Sequence, residues 1–166
     1  MTSDLHQSDI VTGVILVDHG SRRAESNQML HDAVERFRAQ SAFAIVEPAH
    51  MELAQPDLSV AFQRCVEQGV RRVVVFPYFL SPGRHWNEDI PALVRRAADP
   101  FPDVEWVVTA PFGLHPGMNA IIEDRIHSCL SRTFPADDAS HATDSSGCDL
   151  CGPQLTCLNR NSSRVS

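Results

Sequence analysis

The chain of 166 residues contains no lysine; all 14 basic residues are arginine. That absence excludes a Schiff-base lysine, a P-loop lysine and a lysine general base. Basic charge is scarce overall, with a formal net charge of −7. A general nucleic-acid binder needs a basic face to displace counterions, so that class is excluded. No apolar run approaches the ~18 residues of a membrane span, and no membrane partner is expected. Met1 to Thr12 lack both an apolar core and an Arg-rich amphipathic pattern, so no secretory leader is expected there. The cysteine count is odd, at five. A secreted disulfide framework is therefore disfavoured, and a metal or cluster site in a reducing compartment is the better reading.

What is present points to one α/β domain. Hydrophobic residues make up 43% of the chain, enough for a core, and the length leaves little room for a second domain. Val14-Ile15-Leu16-Val17 is a short, wholly apolar run ending at the polar turn Asp18-His19-Gly20-Ser21, the pattern of a strand buried on both faces. Met29, Leu30, Ala33, Val34 and Phe37 then recur at helical spacing between about Ala24 and Gln40. A second strand opens at Ala44 and reaches His50. Pro56-Asp57 introduces a helix that stops at Gly69. Val70 to Phe76 reads as a third strand and Val104 to Thr109 as a fourth. Helices carrying Ile90, Leu93, Val94 and Ala97, and then Gly117 to Leu130, follow those two strands. The predicted architecture is a four-stranded, mainly parallel sheet with helices on both faces, in flavodoxin-like layering. From Ala136 to Gly147 the composition shifts to Asp, Ser and Ala, which reads as a flexible linker before a cysteine-rich tail. The expected division is a folded domain over 13–134 and the linker with its tail over 135–166.

In an open parallel sheet, ligands bind beyond the carboxyl ends of the strands. The residues delivered there are Asp18, His19, Arg22 and Arg23 after the first strand, His50 and Glu52 at the second, Arg84 and His85 after the third, and His115 after the fourth. A lone histidine at a strand end is ordinarily a hydrogen-bonding surface or capping residue. Four converging on one end, with a carboxylate, suit a first-row divalent metal. Period-two alternation puts His50 and Glu52 on one side of an extended segment, with Met51 opposite. Asp18 either orients the His19 imidazole or caps the next helix. Arg22, Arg23 and Arg84 are solvated surface arginines or, together, a seat for a ligand with several carboxylates. Phe79 and Trp86 either floor a flat ligand or belong to core packing and helix docking.

These stretches carry a resemblance. Val14 to Arg23, Val46 to Leu53, Pro77 to Trp86, Asp89-Ile90-Pro91 and Thr109 to His115 resemble, block by block and in order, the small sirohydrochlorin chelatases, over roughly residues 13 to 131. The resemblance implies a chelatase-like fold and an ATP-independent enzyme that inserts Fe²⁺ into sirohydrochlorin to give sirohaem. Close relatives insert Co²⁺ on the way to cobalamin. It implies that His19 and His85 serve as metal-site and catalytic residues, with Glu52 as the acidic partner and Glu47 as a nearby competitor. The arginines named above, with His50 and His115, become substrate-binding residues for the carboxylates of the ring. A homodimer is implied as well, and a chloroplast stroma if the source is a plant or alga, otherwise the cytoplasm. A metal or tetrapyrrole carrier that binds without turnover is the competing reading from another class.

Cys148-x2-Cys151-x5-Cys157 supplies three thiolates, and Cys129 can supply a fourth. Four thiolates suit tetrahedral Zn²⁺ or a [2Fe–2S] cluster equally by spacing. The tail resembles the plant-type sirohydrochlorin ferrochelatases in particular, which favours [2Fe–2S]. Cys65 falls on the apolar face of a helix and reads as a packed core thiol.

Overall fold

A computed structural model describes residues 10–133. Strand β1 (Thr12–Asp18) is followed by α1 (Ala24–Gln40), β2 (Ile45–His50), α2 (Leu58–Glu67) and β3 (Arg72–Pro77). A π-helical turn, His85–Asp89, runs directly into α3 (Ile90–Ala98), and β4 (Glu105–Val108) and α4 (Gly117–Thr133) complete the order. All strand pairs are parallel, in the order β2-β1-β3-β4. The predicted parallel α/β sheet is therefore the observed one.

Why β1 lacks alternation is now visible. Ile15 and Val17 enter a core with Phe62, Cys65, Val73, Val75, Ile90 and Val94. Val14 and Leu16 enter a second core with Leu30, Val34 and Val46 of α1 and β2. A central strand covered on both faces must be apolar at every position. Strand β2 lies at the sheet edge and carries Pro48, which an edge strand tolerates because one side of its backbone needs no ladder partner. Asp57 caps α2 by accepting the Val60 N–H at 3.0 Å. That bond, ahead of the opposing effect of burial, holds the Asp57 carboxyl below its ordinary value.

The chain divides into two compact units, the first ending at Leu114 and the second beginning at His115. Among the described residues the second contains α4. Its apolar residues Ile121, Ile122, Ile126 and Leu130 are each about half exposed.

The strand order reverses between β1 and β3: the chain steps from β1 to β2 on one side, then returns to place β3 on the other. A crevice opens at such a switch point, beyond the carboxyl ends of the two diverging strands.

Candidate active site at the β1–β3 switch point

Two loops leave the switch point, and each delivers a histidine. His19 follows β1 directly. His85 opens the π-helical turn after β3. Their ring centroids lie 4.5 Å apart with the planes at 88°. The residues that the sequence placed after different strands thus meet edge to face. Phe79 packs against the His19 ring at 4.8 Å and against the larger core, so it supports the histidine from below.

Each histidine is held by its own scaffold. His85 Nδ1 lies 2.7 Å from Asp89 Oδ2, one turn along. With Nδ1–H donating to the carboxylate, the neutral ring keeps its lone pair on Nε2. Trp86 fixes the same turn by donating its indole N–H to the Thr109 carbonyl at 2.8 Å. Helix docking, not a ligand floor, is therefore its observed role. Asp89 lies outside the residues singled out as site candidates above, although its spacing of four from His85 places both on one helical face.

The β1 loop is pinned from two directions. Asn27 on α1 accepts the Ser21 N–H and donates to the Ser21 carbonyl, both at 2.8 Å. Gly20 sits at φ +78°, and a Cβ there would lie 2.1 Å from the Glu52 carbonyl oxygen and 3.0 Å from His50 Cβ. Only glycine permits the β1 and β2 loops to approach so closely. Asp18 neither caps α1 nor faces His19. Its Oδ1 accepts the Gly20 N–H at 2.9 Å and lies 2.5 Å from His50 Nδ1.

Glu52 and His85 share a cavity of about 260 Å³ with Asp89, Arg96 and the apolar side chains of Met51, Ala92 and Leu93. Leu53, at φ +65°, turns the chain away immediately after Glu52. Among the described residues, no three His, Cys, Asp or Glu side chains converge closely enough to hold a metal ion. The His19–His85 pair is assembled, then, but His19, His85 and Glu52 do not form a closed three-ligand cage. An open set of this kind can pass a metal on instead of storing it. Tyr78, Leu80 and Leu53, all exposed, supply an apolar surface at the ends of β2 and β3.

The other predicted residues take different places. His50 is fully buried, so period-two alternation fails for it: β2 ends at His50, and Glu52 has already left the extended path. Glu47, the competitor for the acidic role, accepts a hydrogen bond from Gln68 and faces Arg64 at 3.7 Å, within β2 and not at its carboxyl end. Arg22 and Arg23 are exposed on the β1 loop, and exposed Arg84 contacts Glu88 at 3.3 Å. His115 belongs to the second unit, where its Nδ1 accepts the Gly117 N–H at 3.1 Å at the start of α4. Cys129 is an exposed thiol on α4, and Cys148, Cys151 and Cys157 lie outside the described residues. Cys65 is buried, and desolvation, with the nearby Glu47 charge, pushes its thiol up to about 12.

A family model, CbiX, matches residues 13–129. The chain belongs to the CbiX family. Among curated relatives, it is 46% identical over 151 residues to the chloroplastic sirohydrochlorin ferrochelatase of Arabidopsis thaliana, covering 91% of this chain and 64% of that one. Among solved structures it superposes on a CbiX protein ascribed to cobalamin (vitamin B12) biosynthesis in Marinobacter aquaeolei VT8, with a TM-score of 0.64 and 30% identity over 74% of this chain and 99% of that one. It also superposes on SirB from Bacillus subtilis with Fe³⁺, at a TM-score of 0.65 and 26% identity, covering 72% of this chain and 46% of SirB. The CbiX-family chain described here therefore spans less than two thirds of the Arabidopsis relative and about half of SirB.

Proposed function

We propose that the chain is a sirohydrochlorin ferrochelatase, inserting Fe²⁺ into the macrocycle without ATP. The observation that carries this reading is the His19–His85 pair, edge to face at 4.5 Å over the switch point of the sheet. The 46% identity to the Arabidopsis ferrochelatase favours iron over cobalt as the metal inserted.

The reaction must remove two pyrrole N–H protons and deliver one divalent metal to four ring nitrogens. The flat ring lies on the apolar surface of Leu53, Tyr78 and Leu80, and its peripheral carboxylates reach Arg22, Arg23 and Arg84. Local arginines matter here because the whole protein is acidic and its overall field repels an acidic substrate. His85 offers Nε2 to the incoming Fe²⁺, held in that tautomer by Asp89. His19, beside it and exposed to solvent, takes the two pyrrole protons one after the other and passes each to water. Glu52 and Asp89 place carboxylate charge next to the path the cation takes. The open ligand set suits this task, because a metal held by a closed cage would not leave for the ring.

A second copy of the chain belongs to the same reading. One crevice over four strands is narrow for a tetrapyrrole, and a two-fold partner walls it. Light scattering under assay conditions tests this; an active species of single-chain mass contradicts it. Cys129, Cys148, Cys151 and Cys157 carry the proposed [2Fe–2S] site, with Zn²⁺ as its alternative; one thiol is in the described region and no step of insertion runs through it. Visible absorbance that disappears in Cys148→Ser tests that assignment, and colourless protein with stoichiometric zinc supports the alternative. A chloroplast setting accompanies the reading where the source is a plant or alga, supported by the chloroplastic relative.

The direct test is absorbance of sirohydrochlorin mixed with Fe²⁺ and catalytic amounts of protein. Multiple turnovers without ATP are expected. A spectrum that changes only in proportion to protein would support a carrier, and faster insertion of Co²⁺ at equal concentrations would support the cobaltochelatase reading.

A further inference from the structure

We propose that the buried Asp18–His50 pair is the positioning device of the insertion site, tying the loop that carries His19 to the loop that carries Glu52. The inference rests on the chelatase reading for its activity readout. Asp18 and His50 are the last residues of β1 and β2 and stand directly opposite each other in the ladder. The His50 ring is fully buried, with Nδ1 2.5 Å from Asp18 Oδ1. The same Oδ1 accepts the Gly20 N–H at 2.9 Å. Just beyond, the Met51 N–H donates to the Asp18 carbonyl at 2.8 Å and the Glu52 N–H to the His19 carbonyl at 3.2 Å. Every one of these bonds joins the two loops or folds one back on Asp18. His19 is one residue from this knot, and Glu52 is two.

The orphaned nitrogen of His50 strengthens the case. Nε2 is buried and has no hydrogen-bond partner among the described residues. A buried polar atom without a partner destabilises the fold, and a phenyl ring of similar shape would pack here without that cost. The imidazole thus contributes less to packing than an apolar ring would. What it alone adds is the Nδ1–H directed at Asp18. Being fully buried, it touches no ligand on the open face; it acts through the loops.

Three variants test the pair, each compared with wild type for kcat, for KM toward sirohydrochlorin, for melting temperature and for Co²⁺ binding followed by visible absorbance without tetrapyrrole. His50→Phe keeps the volume and removes the donor. It should lower kcat and weaken Co²⁺ binding, each by roughly 10- to 100-fold, the usual effect of losing a group that orients metal ligands, with KM unchanged and no drop in melting temperature. His50→Asn places an amide N–H where Nδ1–H was but leaves a void. It should recover most of the lost kcat while melting lower. Asp18→Ala should reproduce the kcat loss of His50→Phe, and it stands in for that variant if His50→Phe fails to fold. Activity that follows melting temperature across the set, or wild-type kcat in folded His50→Phe or Asp18→Ala, overturns the inference. Absence of turnover in wild type refutes the chelatase reading instead, and Co²⁺ binding then decides the role of the pair by itself.

Discussion

Replacing Gly20 with alanine should damage both stability and insertion, and the structure separates the two causes. The first is backbone conformation: φ is +78°, where a Cβ costs about 1–2 kcal/mol. The second is contact. The new Cβ would sit 2.1 Å from the Glu52 carbonyl oxygen, and the obstacle is backbone, which cannot rotate aside as a side-chain tip can. Relief requires the β1 and β2 loops to separate by about 1 Å, given ordinary carbon–oxygen contacts near 3.2 Å. That movement breaks the Glu52 N–H to His19 carbonyl bond, worth about 1 kcal/mol. The expected loss of stability is therefore about 2–3 kcal/mol. Gly69 provides the control. Its φ is +84°, yet an added Cβ meets nothing within 4 Å, so Gly69→Ala carries the conformational cost alone. Urea unfolding of both variants isolates the contact as their difference. Insertion should fall about 100-fold in Gly20→Ala, since a displacement near 1 Å at a reacting group is enough for that, and remain at wild-type level in Gly69→Ala. Equal destabilisation in the two variants, with insertion intact in both, would refute the close-approach explanation.

Three further outcomes follow from single contacts. Asp89→Ala should lower kcat about 10- to 100-fold by freeing the His85 ring, with little change in melting temperature because the pair is substantially exposed; steady-state kinetics reads this. Asp57→Ala should cost about 1 kcal/mol through loss of the α2 cap. Because folding depresses the Asp57 carboxyl below its ordinary 3.8, its contribution is complete above that pH and fades as the pH falls through the lower folded-state value; urea unfolding of wild type and Asp57→Ala should therefore converge in strong acid. Cys65, with its thiol pushed up to about 12 and its side chain buried, should resist iodoacetamide in the native protein and react once the protein is unfolded in urea, as peptide mass mapping will report.

Much of the fold was legible because its strongest signals are local. An uninterrupted apolar run is what a doubly covered strand requires, and β1 shows it; helix α1 matches its predicted limits, Ala24 to Gln40. The position of the site was legible too, since the parallel-sheet rule needs only the order of elements. Partnerships inside the site were not. His50 and Glu52 were paired by strand alternation, which holds only while the chain stays extended. The chain turns at Met51, whose N–H bonds back to the Asp18 carbonyl, so one residue is buried and the other exposed. Asp18 had two plausible tasks near His19 and performs a third, across the sheet. Nothing in the sequence marks the π-helical turn His85–Asp89, because no residue propensity distinguishes a π-turn.

The most direct measurement is the initial rate of Fe²⁺ insertion into sirohydrochlorin by folded His19→Ala and His85→Ala, without ATP, beside wild type. If the two imidazoles 4.5 Å apart form the insertion site, each variant should lose at least about 100-fold in rate. Near wild-type rates in both, with unfolding curves unchanged, would contradict the assignment of the switch-point histidines to the chemistry.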